Sequence, residues 1–87
     1  MRFVHNDLGM LRGGELVEVT LSNQANVKLM DGSNFSSYRQ GSQHRYFGGH
    51  VKHSPFRLQV PGAGHWHVAV DLGGHAGSVR AGVRVIG

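Results

Sequence analysis

Apolar residues recur at every second position in short runs separated by glycine-rich or polar turns, and this restricts the chain to short β-strands. In residues 15–22, Val17, Val19 and Leu21 share one face while Glu18, Thr20 and Ser22 take the other. Residues 25–30 repeat the pattern through Val27 and Leu29, and Ser22-Asn23-Gln24 predicts a hairpin pairing the two segments antiparallel. Phe56, Leu58 and Val60 alternate with Arg57 and Gln59 between Pro55 and Pro61, which cannot donate to a ladder and so mark strand ends. The clearest strand is 65–72, where Trp66, Val68, Val70 and Leu72 face one way and His65, His67, Ala69 and Asp71 the other. A last strand at 78–86 presents Val79, Val83 and Val85, and weaker ones fall at 2–5 and 46–53. About seven such strands predict an all-β fold, an antiparallel sandwich or short barrel, with these inward apolar residues and a buried Trp66 as its core.

Length and composition narrow this further. The 87 residues leave room for one core, so 1–87 is a single β-domain. A domain this small buries only about 60% of the surface its unfolded chain exposes. With no cysteine, disulfides are excluded as reinforcement, and so are thiol catalysis and the common structural zinc patterns. Self-association into a homo-oligomer is the remaining route to added stability. No charged stretch leads into a long hydrophobic one, and apolar runs fall far short of the ~20 residues that span a bilayer. The expectation is a soluble, cytoplasmic protein with no membrane partner.

One segment departs from the strand pattern. Residues 31–45 are polar, studded with aromatic residues and long for a connection in so small a domain. Ser33 is positioned to cap a helical turn running to Gln40, with Phe35 and Tyr38 on one side and Gly41 as the stop. Asn34, Tyr38, Arg39, His44 and Arg45 gather an amide, an aromatic face and cationic donors within a dozen positions. Together they are the candidate site for a small polar ligand or a partner protein. The competing reading is that Phe35 and Tyr38 only pin the loop to the sandwich while the arginines stay solvated.

Seven histidines invite a metal reading. His65 and His67 project from one face of a strand, but Asp71 on that face lies roughly 13 Å from His65 by strand rise. A third donor must come from a neighbouring strand or loop, with His44, His50, His53 and His75 as candidates, and nothing in the sequence selects among them. No metal and no cofactor are therefore expected. Nor is an enzyme, since the five acids form no local pair and no serine sits in a nucleophile elbow. The net charge of +4 permits a polyanion. Lys28, Arg57, Arg80 and Arg84 point outward and Tyr38 and Tyr46 supply stacking surfaces, which makes a basic nucleic-acid-binding face the alternative function. Outward Glu18 and Asp71 dilute such a face, so nucleic acid is not the favoured partner.

The stretches Met30-Asp31-Gly32-Ser33-Asn34-Phe35-Ser36-Ser37-Tyr38, His44-Arg45-Tyr46-Phe47-Gly48-Gly49, Ser54-Pro55 and Gly64 to Gly74 resemble a family of small bacterial domains of unknown function. The resemblance spans nearly the whole chain. It implies an all-β fold, carries no catalytic residues, and includes members joined to Toll/interleukin-receptor (TIR) domains. A sensing or interaction module attached to an effector is the role it suggests.

Overall fold

The computed structural model describes residues 3–87, so Arg2, expected in the first strand, lies outside them. Seven strands and one helix follow in chain order: β1 (Phe3–Leu11), β2 (Leu16–Leu21), β3 (Ala25–Asp31), α1 (Gly32–Arg39), β4 (Phe47–Val51), β5 (Phe56–Gln59), β6 (Gly64–Asp71) and β7 (Ala81–Ile86). They form two antiparallel sheets, one in the order β1-β6-β3-β4 and one in the order β5-β2-β7. The all-β sandwich is thus the fold of the chain.

Alternation explains the seam between the sheets. Val17 and Val19 of β2, Val27 and Leu29 of β3, and Val68 and Val70 of β6 are fully buried, and Trp66 closes one end with its indole N–H on the Gly62 carbonyl at 2.9 Å. Each such aliphatic side chain contributes roughly 1.5–3 kcal/mol on burial. Leu21, Phe56, Leu58 and Val83 pack against this cluster half-buried. Val85, expected with them, is 38% exposed, because β7 is an edge strand with a neighbour on one side only.

Three further expectations need correction. β2 and β3 do not form a hairpin: β2 pairs with β5 and β7, β3 with β4 and β6, and residues 22–24 carry the chain from one sheet to the other. That crossing is held by Ser22 N–H on the Arg80 carbonyl (2.9 Å), Arg80 N–H on Ser22 Oγ (2.8 Å) and the Asn23 amide on the Ser78 carbonyl (2.9 Å). The valines of β2 and β3 therefore meet across the sandwich and not along a shared ladder. The first strand is also longer than the 2–5 segment. A bulge between Asp7 and Gly9, with Gly9 at φ +74° and its N–H on Asp7 Oδ1 (2.8 Å), shifts the phase of the alternation and hid the second half.

The third correction concerns the helix. Its N-cap is Asp31, not Ser33: Asp31 Oδ1 accepts from the Asn34 backbone N–H at 2.9 Å and from the Asn34 side chain at 3.0 Å. Gly41 ends it as expected, at φ +76°, with Gly41 N–H on the Tyr38 carbonyl and Ser42 N–H on the Ser37 carbonyl. α1 lies on the outer face of the four-stranded sheet, where Phe35 and Tyr38 pack on Met30, Ala69 and Phe3. Over this patch the sandwich has a third layer, so residues that alternation turns toward solvent are buried.

Candidate functional site

The covered face is built around Asp71. Its carboxylate, on the outward side of β6 but only 2% exposed, accepts from the Tyr38 hydroxyl at 2.6 Å, the Asn26 amide at 2.9 Å and the Gly73 N–H at 2.9 Å. Burial works to raise the Asp71 carboxyl, but these donors and the Lys28 ammonium outweigh it and hold the group below the usual carboxylate range. The Tyr38 hydroxyl moves the opposite way, pushed up by burial and then by its anionic partner. Tyr38 is therefore an anchor between helix and sheet, and its ring forms the floor for what lies beside it.

Beside it lies Lys28, on the adjacent strand β3. Its ammonium sits over the Tyr38 ring at 4.9 Å and the Tyr46 ring at 4.7 Å, and donates to His44 Nε2 at 3.2 Å. His44 Nδ1 in turn meets the Ser42 carbonyl at 3.0 Å, which fits the tautomer with its proton on Nδ1. Asn34 accepts the Arg45 backbone N–H through Oδ1 at 2.8 Å, tying helix to loop. Lys28, Asn34, His44, Arg45 and Tyr46 thus line an open cleft with the 41–43 turn, and no carboxylate lines it.

Of the five residues the sequence singled out, three line this cleft: Asn34, His44 and Arg45. Tyr38 lies beneath it, buried, and Arg39 turns away to the Phe35 ring at 5.8 Å. Lys28 and Tyr46 were missed as members. Lys28 alternates outward like any surface lysine, and only the return of residues 42–46 over β3 and β4 makes it a site residue.

The other chemistry-bearing residues fall in two separate places. Arg57 and Arg84 both grip Glu18 on the outer face of the three-stranded sheet, at 2.8 Å and 2.6 Å, and their hydrogen bonds hold its carboxyl below the ordinary range. They therefore share no face with Lys28, and the single basic surface expected of a strand-binding sheet is split. On β6, His65 and His67 do share a face, and the third acidic or imidazole donor beside them is Asp7 of β1, which sequence reasoning had not weighed. His44, His50, His53 and His75 are not in that group. His65 Nε2 meets Asp7 Oδ1 at 2.6 Å, and His67 Nδ1 meets His5 Nε2 at 2.9 Å. Phe35 stacks on His5 and His67, and burial draws both imidazoles below their usual range despite the nearby Asp7.

A two-sheet antiparallel sandwich carrying one helix on its outer face, with a cationic, aromatic cleft at the helix's C-terminal turn, defines the class. The chain belongs to the family described as domain of unknown function (DUF1883), whose model matches residues 1–87. No curated protein and no solved structure matches it significantly. No helix among the described residues is long and apolar enough to cross a membrane.

Proposed function

We propose that this domain is a non-enzymatic binding module that takes a small anionic ligand, carrying a carboxylate or phosphate, in the cleft between α1 and the 41–46 loop. The observation that carries the reading is the environment of Lys28: an ammonium between two tyrosine rings, hydrogen-bonded to an imidazole, with no carboxylate within ion-pair distance among the described residues. An anion entering there meets Lys28 directly and Arg45 at the rim, and the exposed Tyr46 ring offers a face to a planar group. No carboxylate lines the cleft, so its positive charge is left for recognition of an anion. The TIR fusions that the family resemblance implies fit the same role, with the domain reporting ligand to an attached effector inside the cell.

Calorimetric titration at fixed ionic strength tests this, with inorganic phosphate, citrate and a nucleoside monophosphate as probes. At least one probe should bind at one site per chain. Lys28→Gln and Arg45→Gln should each weaken it about ten-fold, the equivalent of one charge-assisted hydrogen bond of ~1.4 kcal/mol. Binding of none of the three, or affinity indifferent to both substitutions, contradicts the reading.

A further inference from the structure

Across α1 from that cleft, the bulge in β1 creates a second and independent constellation. In the β1–β6 ladder Asp7 stands opposite His67, and the extra residue at the bulge leaves Met10, not Gly9, opposite His65. Asp7 is thereby drawn to the space between the two imidazoles. One oxygen of Asp7 and one ring nitrogen each of His65 and His67 lie within 4.8 Å of one another. His5 Nε2 adds a neighbouring donor 2.9 Å from His67 Nδ1.

Donors bound to one zinc-like ion at about 2.0–2.2 Å stand roughly 3.3–3.5 Å apart in tetrahedral geometry. Reaching that spacing requires side-chain rotation of His65 and Asp7, which opens their 2.6 Å contact and brings both toward His67; their side chains are 48% and 52% exposed and have room to turn. His67 is 8% exposed and stacked on the Phe35 ring, so it is the fixed member around which the others arrange. Two antiparallel strands supply all the donors, so the backbone is already in place before any ion arrives. Imidazoles with a carboxylate suit borderline first-row divalent ions over magnesium or calcium, which prefer all-oxygen sites.

We propose that Asp7, His65 and His67 form a binding site for a first-row divalent transition-metal ion, zinc or its like, with His5 beside them as the nearest additional donor. The solvent-facing side of this group leaves a coordination position open, so the bound ion is accessible to a further ligand. Occupation would also tie β1 to β6 through their side chains.

Zinc itself is the probe, added to the full chain prepared without a histidine tag. Calorimetry and elemental analysis should find one zinc per chain, and cobalt should give the visible absorption bands of a low-coordinate site. Asp7→Asn and His65→Gln, both at exposed positions, should each lower zinc affinity ten-fold or more while leaving the melting temperature of the metal-free protein nearly unchanged. His53→Gln and His75→Gln, at exposed positions outside the group, should have no effect. Failure to bind zinc stoichiometrically overturns the proposal. So does zinc binding that survives both Asp7→Asn and His65→Gln, because the ion would then sit elsewhere.

Discussion

Replacing Tyr38 with Phe removes one oxygen from the domain and tests the helix-on-sheet layer directly. The ring contacts survive, including Phe3 at a centroid distance of 5.0 Å and the Lys28 ammonium at 4.9 Å, so packing changes little. What goes is the 2.6 Å donor to Asp71 Oδ2, inside a region where Asp71 is 2% exposed. A hydrogen bond to an ionised group contributes about 1.5–3 kcal/mol, and among the described residues the carboxylate left behind keeps the Asn26 and Gly73 donors on Oδ1. Tyr38→Phe is therefore expected to cost about 2 kcal/mol, which lowers the melting temperature of a domain this size by roughly 8–16 °C. Urea unfolding followed through Trp66 fluorescence reads the same loss. Combining it with Asp71→Asn should show a coupling of about 1–2 kcal/mol, since both changes remove one interaction. The pH dependence has a definite sign. The Asp71 carboxyl lies below its unfolded value, so its stabilisation is present above the unfolded carboxylate pKa of about 4 and fades as pH falls below it. The penalty of Tyr38→Phe should shrink in step. A penalty under about 0.5 kcal/mol at neutral pH, or strict additivity with Asp71→Asn, would show that the Tyr38–Asp71 bond does not hold the helix to the sheet.

Trp66→Ala should cost about 3–5 kcal/mol by deleting a buried aromatic at the end of the core, read as a shift in the urea midpoint. In metal-free protein, His5 and His67 have pKa values drawn down by burial, so the unfolded chain binds more protons below its own histidine pKa of about 6.5. Stability should therefore fall as pH is lowered from 7 toward 5, and His67→Gln should flatten that slope in melts taken across the range.

The inner face of the sandwich was legible from period two alone, because Val19, Val27, Val68 and Val70 each stand between polar or small residues that the opposite face accepts, and Val17 and Leu29 continue the same alternation. The outer face was not. Ala69 and Asp71 read as solvent-facing, yet both are buried, because α1 covers them and strand alternation carries no information about a helix laid over a sheet. The bulge at Gly9 had a similar effect, since a one-residue insertion reverses the phase and leaves Leu11 out of step with Val4 although both pack on the core. That same insertion brings Asp7 to His65, which spacing along a single strand does not reveal. The 31–45 segment announced its helix and its stop at Gly41, but the partners that complete its cleft, Lys28 and Tyr46, are joined to it by topology.

Recognition of an anion at Lys28, and not at basic surface residues generally, predicts which backbone amides respond to it. Amide chemical-shift mapping of ¹⁵N-labelled protein during titration with inorganic phosphate, citrate and a nucleoside monophosphate tests it most directly. Saturable shifts should concentrate at Lys28, Asn34 and residues 41–46, and disappear in Lys28→Gln. Shifts spread over Arg12, Arg80 and Arg84, or no saturable shifts with any of the three probes, would show that Lys28 is not the anion site.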